Sequence, residues 1–180
     1  MLSVQLCGWA LLALLLAGGI AMSEQPQAHP YQMDRLFSYT GTLQAPPEVI
    51  GPVPEGIRAT FYITGGDVDG PKIKGHLRHA GGDWFTVRPD GIGVLDVRTT
   101  IETNDGALIY LSYLGYGDLG VDGYEKFLRG DLPKRLTLRT SPQFRTAHPD
   151  YLWLQRVMCV GVGDVDLEKF VASYDVYAVR

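Results

Sequence analysis

Hydrophobic and polar residues alternate along most of the chain, and the period of two is typical of β-strands that bury one face. Turn-forming Gly, Pro, Asn and Asp separate the alternating runs. The pattern predicts nine strands, at 36–43, 58–64, 72–79, 84–88, 93–103, 107–114, 136–144, 156–163 and 172–179. Nine short strands at this spacing favour an all-β barrel or sandwich.

Two short helical segments interrupt the strands. In VDGYEKFLRGD, Asp122 and Glu125 have the spacing of a capping box and Gly130 provides a stop signal. A second helical turn is predicted at Pro149, since proline is tolerated in the first turn. Both segments are too short to form a helical layer, so we expect them to cover an end of the β-structure.

Two turns set the register of the central strands. Pro89-Asp90-Gly91 and Asn104-Asp105-Gly106 each suit a three-residue loop that ends in a left-handed glycine. Arg88 then pairs with Ile92 and Thr103 with Ala107. This register gives one polar face and one apolar face, and the apolar face carries Phe85, Val87, Leu95, Val97, Ile101, Ala107, Ile109 and Leu111.

The candidate chemistry lies on the polar face, and two interpretations of that face remain open. In the first, it lines a barrel cavity, with Asp96, Glu102 and Tyr110 as catalytic candidates; the predicted ligand-binding residues are Trp84, Arg88, Arg98 and Arg139. An arginine would hold an anionic ligand group while a carboxyl or Tyr110 moves protons. In the second, the apolar face is the core and the polar face is solvated.

The N-terminus resembles a secretory leader. An apolar stretch from Trp9 to Met22 is followed by the polar, proline-containing segment SEQPQAHPYQ. We therefore predict a signal peptide over 1–23, a flexible tether over 24–32 and a β-barrel domain over 33–180. The chain is expected to be exported to the periplasm or secreted, without stable membrane association after cleavage. The alternative is a membrane anchor formed by the uncleaved apolar segment.

Composition narrows the partners and cofactors. The net charge is −4 and no basic run is present, so nucleic acid is not expected as a partner. Cys159 is the only cysteine outside the predicted leader, which excludes an intrachain disulfide in the mature chain. His76 and His79 face opposite sides of a strand, so no metal site is predicted. No cofactor is predicted either.

Several motifs resemble the family known as domain of unknown function 3237. They are ITGGDVDGPKIKG, GGDWFTVRPDG, LDVRTTIETNDGALIY, LRTSPQF, YLWL and the ending VYAVR. The resemblance spans the whole predicted domain and implies a single antiparallel, lipocalin-like β-barrel, often oligomeric and with no settled reaction. Carried over by position, the polar motif residues are Asp83, Trp84, Arg88, Asp90, Asp96, Arg98, Asp105, Arg139 and Thr140. Thr99 departs from the family's tyrosine.

Three classes of function stay open at this point. The first is binding of a small hydrophobic oxygenated or anionic metabolite in the barrel cavity. The second is a cofactor-free isomerase, cyclase or lyase that uses Asp96, Arg98 and Tyr110. The third is a structural or partner-binding module, and the resemblance also implies a homo-oligomer. Whether the protein is an enzyme is left open.

Overall fold

A computed structural model describes residues 28–180 of the chain. It contains ten β-strands, a short α-helix α1 (Gly123–Arg129) and a 3-10 helix (Pro149–Arg156). The strands are β1 (Met33–Leu43), β2 (Glu48–Val53), β3 (Gly56–Asp69), β4 (Lys74–Val87), β5 (Ile92–Thr103), β6 (Leu108–Asp118), β7 (Arg135–Thr140), β8 (Gln143–Arg145), β9 (Met158–Asp166) and β10 (Val171–Val179).

The strands form one antiparallel sheet that closes into a barrel. Eight strands make the ring in the order β1-β10-β9-β7-β6-β5-β4-β3, and pairing between β1 and β3 completes it. Strand β2 extends the sheet beside β3, and β8 pairs with β6. This confirms the predicted all-β, single antiparallel barrel with short helices. Closure pairs strand edges with one another, which accounts for the stability of such a sheet without a helical layer.

The division into strands differs from the prediction at three places. The predicted strands at 72–79 and 84–88 are one strand, β4, because Gly81 adopts a φ of 86° and lets the backbone bulge past Arg98 without ending the ladder. The predicted run 136–144 is divided between β7 and β8, with Pro142 in the gap, where it has no N–H to donate. Strand β2 was not predicted.

The hairpin register is confirmed. The Arg88 N–H donates to the Ile92 carbonyl at 2.9 Å, and the Thr103 N–H donates to the Ala107 carbonyl at 2.9 Å. Gly91 and Gly106 have φ values of 82° and 84°, as the left-handed turn position requires. Further along the strands, Thr86 pairs with Val94, Arg98 with Ser112, Thr100 with Tyr110 and Glu102 with Leu108.

The apolar face of these strands is the interior. Val87, Val97, Ile101, Ile109 and Leu111 are each 2% exposed or less. The interpretation in which the polar face lines the cavity is therefore wrong, and the alternative, with the apolar face as the core, is confirmed. The physical reason is that the ring encloses one face of every strand. Burial of the apolar face is favourable, whereas burial of the polar face would remove charged side chains from water.

Both helices lie where the sequence predicts them. Gly130 ends α1 in the left-handed conformation, although Asp122 makes no side-chain capping bond and pairs with Lys126 at 3.0 Å instead. Pro149 occupies the first turn of the 3-10 helix. Within residues 28–180, no helix has the length and hydrophobicity needed to cross a membrane. The predicted leader, 1–23, lies outside the described residues.

Candidate functional site

Some of the predicted site residues meet on the outer surface. Arg98 pairs with Asp96 at 3.2 Å, and its guanidinium lies 5.2 Å from the ring centre of Trp84. The Arg98 and Asp96 side chains are 47% and 36% exposed, and Tyr110 is 41% exposed. An exposed ion pair of this kind contributes at most about 1 kcal/mol. Whether this outer group binds a ligand stays a prediction, but it does not line the barrel interior.

The other predicted residues have separate local partners. Glu102 lies 3.7 Å from Arg78, Arg88 pairs with Asp90 in the first hairpin turn, and Arg139 donates to the Leu138 carbonyl at 2.8 Å. The structure thus brings Trp84, Asp96 and Arg98 together and leaves Glu102, Arg88 and Arg139 in contacts of their own. No single constellation contains all seven predicted residues.

A cavity lies inside the barrel, at the end covered by α1. Its volume is about 60 Å³. The wall is formed by buried side chains, which are Phe61, Ile63, Phe85, Leu95, Val97, Tyr113, Leu136, Leu138, Val165 and Tyr174. The rim consists of partly exposed side chains, which are Leu43, Leu119, Phe127, Leu132, Leu167 and Ala172. The exposure of the rim places the entrance at the α1 end.

Inward-facing glycines make room for the cavity. Away from α1, large side chains such as Phe37, Ile101 and Phe144 fill the interior and are 1% exposed or less. Toward α1, glycines replace larger inward residues on several strands. A Cβ at Gly163 would lie 2.5 Å from Cδ1 of Tyr174. The absence of a side chain at Gly163 therefore makes room for the Tyr174 ring.

Among the residues that the structure describes, Asp83 is the one charged side chain that lines this cavity. It lies on β4 opposite Phe61 and Val97, on the same inward side as Phe85 and Val87. Its Oδ1 accepts the backbone N–H of Asp96 at 2.9 Å. Burial raises the pKa of the Asp83 carboxyl to about 7; the Asp96 N–H bond acts in the opposite direction, and the Asp96 charge raises the pKa further. Among the described residues, no lysine or arginine forms an ion pair with it.

Three buried tyrosines lie in the same interior, and two of them, Tyr113 and Tyr174, line the cavity with Asp83. Tyr39 on β1 stacks on Tyr174 of β10 with ring centres 5.1 Å apart, and Tyr113 of β6 lies 5.8 Å from Tyr174. Burial raises the pKa of all three well above the usual value, with a smaller contribution from the Asp83 charge. The phenols are therefore hydrogen-bond donors at neutral pH. We call Asp83, Tyr39, Tyr113 and Tyr174 the interior polar cluster.

A second group of polar residues lies outside the barrel. Single ligand atoms of Asp105, His148 and Asp150 all lie within 4.8 Å of one another. Asp105 is already engaged, because both carboxylate oxygens accept the Tyr151 hydroxyl at 3.1 Å and Thr103 also donates to it. These bonds attach the second hairpin turn to the 3-10 helix. Asp105 therefore has a structural role in this group, and the absence of a metal site stays a prediction.

Comparison with known proteins identifies the family. The family model described as "Protein of unknown function (DUF3237)" matches residues 32–179. The chain belongs to this family. The resemblance seen in the sequence motifs is thereby confirmed. A relative from Rhodopseudomonas palustris, named a UPF0311 protein, is 35% identical over 113 residues, which are 62% of this chain and 74% of the relative.

Solved structures agree on the fold. A beta-barrel-like protein from Acinetobacter baumannii has a TM-score of 0.72 and 31% identity, over 87% of this chain and all of that chain. A protein with unknown function from Clostridium acetobutylicum has a TM-score of 0.75 and 27% identity, over 84% of this chain and all of that chain. Their names state a fold or an unknown function, so the interior polar cluster has to be interpreted from its own chemistry.

The interior polar cluster was not predicted as a site, although the sequence contained a signal for it. Asp83 has the same parity as Phe85 and Val87, and Tyr113 has the same parity as Ile109 and Leu111. In the confirmed register, both residues therefore fall on the apolar face. A carboxyl on a face that is otherwise apolar is the feature that distinguishes a binding site from a plain core.

Proposed function

We propose that the protein binds a small, neutral, hydrophobic molecule with a hydroxyl or carbonyl group inside the α1 end of the barrel. The observation that carries the proposal is a single carboxyl, Asp83, in a cavity with an apolar wall. Burial of an ionisable group is unfavourable unless something compensates for it. A ligand that hydrogen-bonds to Asp83 supplies that compensation.

The lining also selects the ligand class. An anionic ligand would meet the Asp83 carboxylate, while the predicted ligand-binding arginines Arg88, Arg98 and Arg139 contribute no cation to the cavity. A neutral ring compound instead packs against the phenylalanine and leucine side chains of the wall. The cavity of about 60 Å³ holds only a few water molecules, so a ligand of this kind has to displace the side chains of the rim.

Binding can be tested with 2-naphthol as the probe, by isothermal titration of the full-length chain at pH 8. Ala172 lies on the rim and Ser173 is its neighbour on β10, so their side chains point to opposite faces of the sheet. We expect Ala172→Trp to fill the entrance and weaken binding by at least about tenfold. Ser173→Trp is the matched control and should change the Kd by less than about twofold.

A third variant tests the polar contact. A hydrogen bond to a charged group contributes about 1.5–3 kcal/mol, so Asp83→Asn should weaken 2-naphthol binding by roughly tenfold or more at pH 8. Equal affinity in the wild type, Ala172→Trp and Asp83→Asn would place any binding outside the barrel and contradict the proposal. Absence of 2-naphthol binding at millimolar concentration would contradict it as well.

A further inference from the structure

Some polar atoms of the interior polar cluster have hydrogen-bond partners and others have none. Asp83 Oδ1 accepts the Asp96 N–H, whereas Oδ2 accepts no hydrogen bond from the described residues. The Tyr39 hydroxyl is fully buried and has no hydrogen-bond partner among the described residues. Buried polar groups are normally paired, so an open carboxylate oxygen in a cavity that Tyr113 and Tyr174 also line marks a place for another polar group.

The cluster also combines two complementary kinds of group. Asp83 comes from β4, Tyr39 from β1, Tyr113 from β6 and Tyr174 from β10. The carboxylate accepts protons, whereas the phenols donate hydrogen bonds to an oxygen atom. Tyr113 and Tyr174 share the cavity lining with Asp83. One ligand can therefore contact the acceptor and the donors at the same time.

We propose that the interior polar cluster catalyses proton transfer at the carbon next to the carbonyl of a neutral, hydrophobic ketone. This inference rests on the proposed binding function and names the substrate class of the same cavity. The required parts are a base beside the carbon, donors at the carbonyl oxygen and apolar walls around the rest of the molecule. Asp83, the tyrosines and the cavity wall supply them in that order.

The step balances without an oxidant or a leaving group. Asp83 Oδ2 takes the proton from the α-carbon, and the electron pair of the broken C–H bond forms a C=C bond. The carbonyl π electrons move to the oxygen, where the Tyr113 and Tyr174 hydroxyls stabilise the negative charge. The protonated Asp83 then returns its proton to the same carbon, or to the far end of a conjugated system. The net result is exchange or isomerisation.

The pH dependence follows from the groups that face Asp83. These are Tyr39, Tyr113 and Tyr174 inside the barrel, and Asp96, through its N–H and its charge. The phenols stay protonated because burial raises their pKa values. Asp83 ionises with a pKa of about 7. The rate should therefore rise with pH through about 7 and then level off.

The test uses 2-indanone, a small hydrophobic ketone, and follows deuterium incorporation at its α-carbons in D2O by proton NMR. We expect the full-length chain to accelerate exchange above the buffer rate with the pH profile just described. Asp83→Asn should lower the exchange rate by about 100-fold or more and retain 2-indanone binding, because a ketone, unlike 2-naphthol, has no O–H to donate to the Asp83 carboxylate. Tyr113→Phe should lower the rate about tenfold, with binding retained. Asp67 is an exposed carboxyl on β3, so Asp67→Asn is the matched control. It should give the same rate of deuterium incorporation into 2-indanone as the wild type.

The outcomes separate this inference from the proposed function. Binding of 2-indanone without accelerated exchange would overturn the catalytic role and leave ligand binding intact. Exchange that is equal in the wild type and Asp83→Asn, with both variants folded by circular dichroism, would overturn the role of Asp83. Failure of 2-indanone to bind would overturn the ketone assignment, while 2-naphthol remains the separate test of binding.

Discussion

Asp83 and Asp96 lie on neighbouring strands, and their side chains point to opposite faces of the sheet. Asp96 is partly exposed and pairs with Arg98 at 3.2 Å, whereas Asp83 lines an apolar cavity and, within residues 28–180, accepts a hydrogen bond only from the Asp96 backbone N–H. The two aspartates therefore differ in their hydration and in the stability of their charged forms. Outside, a carboxylate keeps its hydration; inside, its charged form is destabilised and its pKa rises.

This difference predicts a pH-dependent stability. The folded pKa of Asp83, about 7, exceeds the unfolded value, so the stability from this group is complete below pH 4 and is lost as pH rises through 7. Relative to Asp83→Asn, the wild type should lose up to about 4 kcal/mol over that window, at about 1.4 kcal/mol per pKa unit. Urea unfolding at pH 4.5, 6 and 8.5 measures the free energy of unfolding of both proteins. The same dependence of this free energy on pH in the wild type and in Asp83→Asn would contradict the prediction.

At the scale of elements, the two hairpin turns have the same conformation in different surroundings. Gly91 and Gly106 both end a three-residue loop in the left-handed region. The Gly91 carbonyl accepts the Leu119 N–H at 3.1 Å, which ties the first turn to the segment before α1. A Cβ at Gly91 would lie 1.7 Å from the Gly120 carbonyl oxygen, whereas a Cβ at Gly106 would meet nothing within 4 Å.

The two turns therefore form a matched pair for mutation. Gly106→Ala should lower the free energy of unfolding by about 1 kcal/mol, because alanine has to adopt the left-handed conformation but meets no neighbouring atom. Gly91→Ala should cost at least about 2 kcal/mol more, because the backbone before α1 has to move. Chemical denaturation of both variants measures the difference. Equal losses would show that the first turn is not packed against the segment that covers the barrel end.

At the scale of the whole molecule, closure of the ring makes the core a single unit. Strand β1 pairs with both β10 and β3, so the first and last strands of the described chain are joined. Cys159 on β9 is 1% exposed, and burial raises the pKa of its thiol to about 11. The thiol is therefore protected by the same core that the ring encloses.

Cys159 can report on opening of the barrel. In a Cys7→Ser variant, which leaves one thiol, we expect 5,5′-dithiobis(2-nitrobenzoate) at pH 8 to react at least about a thousandfold slower than with the urea-unfolded chain. The reason is that the reagent reaches the sulfur only after a rare opening. The labelling rate should rise with urea in parallel with loss of the circular dichroism signal. Rapid labelling of the native protein would contradict cooperative protection.

Much of the architecture was present in local sequence patterns. Alternation predicted the strands, and the loops ending at Gly91 and Gly106 predicted a register that the structure confirms. Local patterns failed near Gly81, where they predicted two separate strands, because the pairing of β4 with β3 and β5 continues on both sides of the bulge. The family could also be identified from the motifs alone, and the match over residues 32–179 confirms it.

The sequence by itself determined which residues share a face, because side-chain parity along a strand is a local property. It did not determine which face is inside, since alternation assigns residues to two faces without saying which face the barrel encloses. Closure of eight strands decided that question: the ring has room for only one face, and burying Asp96, Arg98 and Glu102 would have removed charges from water. The same closure brought Asp83 of β4 into one cavity lining with Tyr113 and Tyr174, and it stacked Tyr39 on Tyr174; these residues are distant in sequence and meet only in the finished barrel.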